Sequence, residues 1–171
     1  MEGKDLFRKL FEYDRWGNQQ ALASLSTVGE AVERPRKIFC HVLGAQQLWL
    51  SRFEAPQHPD VDPWPLLPLP ACRAAVEELH QGWTALLDRL TAEQLAGDLV
   101  YRNTKGVEFK TPIQDVLMQL VMHSAYHRGQ VAAAVREAGG KPSPTDYVVW
   151  VRQSAAAARS GRVGGDDHAG G

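Results

Sequence analysis

The chain has 171 residues, 44% of them hydrophobic, so it can fill one core but is short for two domains. Its formal net charge is -1 and its basic residues are scattered among acidic ones, which argues against nucleic-acid binding. It has no apolar run long enough to span a membrane, no signal-peptide-like N-terminus and two cysteines without C-x-x-C spacing, so we expect a cytoplasmic protein.

Apolar residues at helical spacing predict two helices in the first third of the chain. The first covers residues 4–28 and ends at Gly29, which is placed as a C-terminal cap. The second covers residues 35–53 and opens on Pro35, which the first turn of a helix tolerates. On the second helix, His41 continues an apolar stripe with steps of three and four residues, so we expect its imidazole to face the core.

The next segment is a long connection followed by a third helix. Residues 56–70 contain six prolines, which disfavour helix and favour an extended path long enough to cross a helix bundle. Residues 71–90 have the apolar spacing of a helix. Residues 91–110 form a second long connection, in which we expect a short helix and a hairpin. Two such crossovers argue against simple up-down-up-down order.

The fourth predicted helix carries the most telling pattern of the chain. Thr111 is predicted as its N-cap, Pro112 as its first residue, Gln114 as the partner in a capping box, and Gly139 lies just past its end. Within it, H-S-A-Y-H places two histidines four residues apart, on one face of the helix and in line with apolar residues. Two imidazoles held in this way can bind one transition metal ion.

Three histidines therefore have the same predicted inward placement: His41, His123 and His127. Buried imidazoles need partners for both ring nitrogens, and a shared metal ion would satisfy all three rings. The alternative is three separate core histidines that bond to hydroxyl or backbone groups. The remaining histidines are predicted to be solvated: His58, His80 and His168.

The C-terminal part predicts a short helix and a tail. The helix begins near Thr145 or Asp146, and its apolar residues should pack on the bundle. The composition then shifts to Ala, Gly, Ser, Arg and Asp, so we predict a domain over residues 1–153 and a disordered tail over residues 154–171. The predicted fold is all-α: a four-helix bundle with long crossover connections and a short C-terminal helix.

Together these segments resemble the DinB/YfiT-like family of metalloenzymes. The matching features, in order, are Y-D-R-W-G-N, His41 followed by Leu48 and Trp49, G-V-E-F-K-T-P, H-S-A-Y-H-R-G-Q and G-G-K-P-S-P-T-D-Y. The resemblance implies a four-helix bundle with unusual connectivity, frequent homodimers, and a divalent metal ion held by three histidines of the second and fourth helices. The corresponding residues here are His41, His123 and His127.

Three histidines leave a tetrahedral metal ion one open position, which is typical of a catalytic site. We expect zinc or nickel, with iron, manganese or copper as alternatives. A small-molecule substrate is expected, and the resemblance mildly favours transfer of a low-molecular-weight thiol, with metal-dependent hydrolysis or a non-enzymatic, stress-related metal-binding role as alternatives. Candidate catalytic residues are Tyr126 and Arg128, and we also expect polar side chains to orient ligands or substrate: Asn18, Gln130 and Asp146.

Overall fold

A computed structural model describes residues 3–54 and 61–163 of the chain. Four long helices form the body: α1 (Gly3–Ser26), α2 (Glu33–Glu54), α3 (Leu69–Arg89) and α5 (Ile113–Glu137). Between α3 and α5 lie α4 (Ala92–Leu95) and the strands β1 (Asp98–Arg102) and β2 (Glu108–Pro112), and α6 (Tyr147–Val163) follows α5. The predicted all-α fold is confirmed, and no helix within the described ranges is long and apolar enough to cross a membrane.

The four long helices are not arranged in simple sequential order. Both α1 and α2 pack against α3 and α5, whereas α1 and α2 hardly touch each other. The first two helices of the chain therefore occupy opposite corners of the bundle. This arrangement agrees with the prediction that the order is not up-down-up-down, and it places α2 and α5, which carry the three histidines, side by side.

An apolar core fills the space between the helices. Trp83 of α3 is fully buried and stacks on Phe11 of α1, with the ring centroids 5.1 Å apart. From α2 and α5, Phe39, Leu117 and Val131 are also fully buried. Removal of so much apolar surface from water provides the main driving force for assembly of the bundle.

The predicted helix ends are correct at the glycines and wrong at Thr111. Gly29 and Gly139 both have positive φ, of 72° and 82°, as a C-terminal cap requires. Thr111 lies in β2, paired with Leu99 of β1, and Pro112 is the N-cap of α5 without a side-chain cap bond. Strand pairing has taken the backbone that a capping box would need, and the amide of Ile113 donates to the Gly97 carbonyl instead.

The predicted short helix and hairpin between α3 and α5 are confirmed. The short helix α4 has its own capping box, in which Thr91 and Gln94 satisfy each other's backbone amides. Strands β1 and β2 pair antiparallel. The ring of Tyr101 in β1 packs on Trp49 of α2, with the centroids 4.9 Å apart, so the hairpin is attached to the bundle beside α2.

The C-terminal helix is longer than the sequence suggested. The short helix was predicted to end by residue 153, but α6 continues through the alanine-rich stretch to Val163. Alanine has the highest helix propensity, so composition that resembles a tail can extend an existing helix. The predicted disordered tail is thus wrong for residues 154–163, and residues 164–171 lie outside the described residues.

A polar network occupies the centre of the bundle. Arg128 of α5 is only 1% exposed, and its Nη1 donates to Asp14 Oδ1 at 2.5 Å and to Asn18 Oδ1 at 3.0 Å, both on α1. From α2, Gln46 Nε2 donates to Asp14 Oδ2 at 2.6 Å and to Ser124 Oγ of α5 at 3.0 Å. One carboxylate thereby links three helices.

The guanidinium of Arg128 fits only because α1 has a glycine opposite it. A β-carbon on Gly17 would lie 2.8 Å from the guanidinium carbon. The Tyr13 ring lies over the same group, 5.1 Å from its carbon. Burial by itself would lower the pKa of Arg128, but Asp14 raises it, so the guanidinium is charged in the folded protein.

We predict that Asp14→Asn destabilises the protein by about 3–5 kcal/mol, because it leaves a buried guanidinium without its counter-charge. Denaturant-induced unfolding followed by circular dichroism measures the change. The matched control is Asp5→Asn, since Asp5 forms an exposed ion pair with Arg8 at 3.3 Å. Its loss should cost less than about 0.5 kcal/mol. Equal stability of the two variants would contradict the central role of this network.

Candidate metal centre

The structure brings His41, His123 and His127 together where α2 meets α5. The ring centroids lie 5.1 Å apart for the first two, 4.8 Å for His41 and His127, and 4.4 Å for the pair on α5. One ligand atom from each residue lies within 4.8 Å of the others. Within residues 3–54 and 61–163, this is the one group of three or more His, Cys, Asp or Glu side chains close enough to hold a metal ion.

The apolar stripes predicted that the three histidines lie in the core, but the structure places them outside it. All three are half-buried, whereas the next residues on α5, Ser124 and Arg128, are fully buried. The prediction was wrong because residues at steps of three and four cover a broad arc of the helix surface, and the edge of that arc reaches solvent. The cluster therefore lies at the rim of the bundle, where a small molecule can reach it.

The proline-rich segment orients His41. The Nδ1–H of His41 donates to the backbone carbonyl of Pro63 at 2.7 Å, which leaves Nε2 with a free lone pair. The Trp64 ring stacks on the imidazole, with the centroids 3.6 Å apart and the planes 7° from parallel. Sequence reasoning treated this segment only as a crossover, since a contact through a backbone carbonyl leaves no mark in the pattern of side chains.

A glycine on α2 allows this close approach. Gly44 lies one turn beyond His41, and a β-carbon there would be 2.5 Å from Pro65 Cδ and 2.8 Å from the carbonyl group of Pro63. Any larger residue would push the segment away from the helix. Gly44 thus fixes the position of the carbonyl that holds His41.

On α5, a polar side chain orients His127 in the same manner. Its Nδ1 bonds to Gln130 Oε1 at 2.8 Å, and because a carbonyl oxygen only accepts, Nδ1 carries the proton and Nε2 is free. The structure therefore places Gln130 where it orients a ligand, as the sequence suggested. An acceptor behind each imidazole is the usual arrangement around metal-bound histidines.

Burial and mutual repulsion favour the neutral form of His41 and His123. The pKa of His123 is lowered to about 4, first by burial and then by the neighbouring His127 and His41. The pKa of His41 is also lowered, mainly by burial, although its bond to Pro63 opposes the shift. Neutral imidazole is the form that binds a metal ion, so these shifts favour metal binding by His41 and His123.

The other predicted residues have different positions. The Tyr126 side chain is 67% exposed, with its ring 5.1 Å from that of His127, so it borders the cluster. Arg128 and Asn18 belong to the central network, and this gives them a role in packing rather than contact with a substrate. Asp146 is exposed at the start of α6, where its carbonyl accepts from the first turn.

One of the three histidines predicted to be solvated is not. His80 is largely buried on α3, and its Nε2 lies 3.2 Å from Glu12 Oε1 of α1. Its polar sequence neighbours concealed that the residue itself faces another helix. His58 and His168 lie outside the described residues.

Comparison with known proteins identifies the family of the chain. A family model described as the DinB family matches residues 8–159, a range that contains all three histidines. Protein DinB of Bacillus subtilis (strain 168) is 28% identical over 162 residues, which cover 86% of this chain and 94% of that protein. The resemblance drawn from the sequence motifs is thereby confirmed over most of the chain.

We predict that the purified protein binds up to one divalent ion per chain and that His41→Ala, His123→Ala and His127→Ala each weaken binding. The loss should exceed the roughly 10- to 100-fold cost of removing a residue that only orients a ligand. Metal analysis after dialysis, together with titration of zinc into the apo-protein, measures both quantities. The control is His80→Ala, which alters a histidine outside the cluster. Unchanged binding in all three variants would contradict the metal site and favour three separate histidines without a shared ion.

A second prediction concerns the orienting segment. Gly44→Ala should reduce zinc affinity by roughly 10- to 100-fold, because the added methyl group displaces the carbonyl that holds His41. The same titration measures this change. The matched control is Gly129→Ala. Gly129 is exposed on α5, two residues after His127, and a β-carbon there meets nothing within 4 Å. Equal affinity in the two variants would show that Pro63 does not position His41.

Proposed function

The chain belongs to the DinB family, and we propose that it is a metal-dependent enzyme whose divalent ion is held by His41, His123 and His127. The observation that carries the proposal is that the three histidine side chains lie close together and are partly exposed. Three half-buried imidazoles meet at a rim that solvent can reach, and His41 and His127 each have a free Nε2 atom. A metal ion that serves only stability is normally enclosed by four protein ligands.

We infer zinc or nickel as the resident ion, because an all-imidazole donor set suits these metals. When bound by three histidines, such an ion supplies Lewis acidity and one open position at which a water or thiol becomes a stronger nucleophile. The protein's own contribution is to fix the imidazoles. Pro63 and Gln130 hold the protons of His41 and His127 on Nδ1, so that the Nε2 lone pairs of these two residues need little rearrangement.

Two exposed aromatic side chains border the cluster and would contact a substrate. Trp64 is 51% exposed over His41, and Tyr126 lies beside His127. Together they offer apolar surface on two sides of the imidazoles, and the Tyr126 hydroxyl adds a hydrogen-bond donor. A small electrophile with an apolar portion fits these surroundings better than a highly charged substrate.

For the reaction, we propose transfer of a low-molecular-weight thiol to an electrophile, as the family resemblance suggests. The substrate thiol would lose its proton and its sulfur would form the new bond to the electrophile, while the leaving group departs with the electron pair. Hydrolysis is the competing reaction at the same site, with water in place of the thiol. A scaffold that only stores metal would catalyse neither.

The prediction that separates these roles uses the cobalt-substituted protein. Azide or a small thiol should change its visible d–d spectrum in a saturable manner, because the added ligand enters an open coordination position. Turnover of a general electrophile with bacillithiol, mycothiol or glutathione is then measured on the zinc and nickel forms. His127→Ala should abolish the activity, and Tyr126→Phe, which keeps the ring, tests the hydroxyl alone.

Each outcome assigns a different role. A spectral change with thiol-dependent turnover supports the transferase. A spectral change with turnover in water alone replaces it with a hydrolase. A spectrum that no ligand perturbs, with no turnover, contradicts the enzymatic proposal and leaves a metal-binding scaffold.

A further inference from the structure

The two cysteines of the chain lie in contact although 32 positions separate them in the sequence. Cys40 is on α2 and Cys72 is in the first turn of α3, and their sulfur atoms are 3.6 Å apart. Both side chains are fully buried, and the sequence has no other cysteine. Any disulfide within one chain must therefore join these two residues.

We propose that Cys40 and Cys72 are a redox-modification site, at which a peroxide oxidises the two thiols to a reversible disulfide. The proposal is independent of the metal-dependent activity. A disulfide has a sulfur–sulfur length of about 2.0 Å, so the two atoms need a further approach of roughly 1.5 Å. Small side-chain rotations and a slight shift of the first turn of α3 can supply this distance.

The backbone of Leu67 holds both sulfur atoms. Its amide donates to Cys40 Sγ at 3.4 Å, and its carbonyl oxygen lies 3.8 Å from Cys40 Sγ and 3.7 Å from Cys72 Sγ. The contact with the Leu67 amide distinguishes the Cys40 sulfur from that of Cys72, and we assign Cys40 as the attacking sulfur. Cys72 is then the resolving thiol.

The chemistry balances with peroxide as the oxidant. The Cys40 sulfur attacks one peroxide oxygen, the O–O bond breaks, and one water leaves once the departing oxygen is protonated. The Cys72 sulfur then attacks the sulfenic sulfur of Cys40, which releases a second water and forms the S–S bond. Two thiols lose two electrons in total, and one hydrogen peroxide is reduced to two waters.

A cavity beside the thiols gives a small oxidant a route to them. It has a volume of about 340 Å³, and its walls include Leu67 and, one turn beyond each cysteine, Leu43 and Ala75. Leu67, whose carbonyl oxygen contacts both sulfur atoms, is part of this wall. Small displacements of the wall side chains would admit hydrogen peroxide.

The disulfide would act on the segment that orients His41. It closes a loop over residues 40–72, and that loop contains Pro63 and Trp64, both in contact with the imidazole. Cys40 also directly precedes His41 in α2. Oxidation would thus restrain the first turn of α3 and the orienting segment relative to α2.

The test treats the full-length, metal-free protein with graded hydrogen peroxide in the presence of a chelator. The sample is then unfolded in an alkylating agent and mapped by mass spectrometry. We expect a monomer lighter by two hydrogen atoms, with the peptides of Cys40 and Cys72 linked and released by dithiothreitol. The oxidised protein should unfold at a higher temperature, because the cross-link restricts the unfolded chain.

Two variants test the order of the steps. In Cys72→Ser, unfolding in dimedone after peroxide treatment should trap a sulfenic acid on Cys40, and peroxide should not raise the unfolding temperature. In Cys40→Ser, Cys72 should form much less of the adduct. Wild-type protein whose two thiols both remain alkylatable, or whose Cys40 passes to sulfinic acid without a cross-link, would overturn the proposal, and so would linked peptides that form only in denaturant.

Discussion

The buried charge of Arg128 is the constraint on which the rest of the structure depends. A guanidinium in the centre of a helix bundle is tolerated only where a carboxylate meets it, and Asp14 does so from α1. Gly17 leaves the space that the guanidinium occupies, and Gln46 extends the network to α2. These contacts fix the rotation of three helices about their own axes, which apolar packing alone would leave less strictly defined.

That rotation determines where the ligands lie. Successive residues of an α-helix are separated by about 100° around the axis, so if Ser124 and Arg128 face the centre, His123 and His127 must face one side. On that side α5 packs against α2, and His41 of α2 lies there with the two histidines. Gln46 of α2 bonds to Ser124 deeper in the same interface. The half-exposed cluster thus results from placing the polar network in the core and the imidazoles at its edge. The reactive groups remain accessible, while the buried network keeps their supports rigid.

The sequence allowed the main elements and the three imidazoles to be predicted, because helical periodicity and four-residue spacing are local properties. It did not reveal the partners of those elements. The prediction for Thr111 failed because Leu99, twelve residues earlier, pairs with it in the hairpin. The alanine-rich composition concealed the length of α6. Likewise, the Pro63 carbonyl and the cavity for Arg128 at Gly17 depend on tertiary contacts that no local pattern encodes.

The central claim is that one divalent ion is held by exactly this trio of imidazoles and keeps an open position. X-ray absorption spectroscopy of the zinc-loaded protein tests it most directly. We expect three nitrogen scatterers at about 2.0–2.1 Å with the multiple-scattering pattern of imidazole, plus a light-atom ligand that azide or a thiol replaces. A spectrum with fewer than three imidazoles, or with protein sulfur at about 2.3 Å before any thiol is added, would contradict the account.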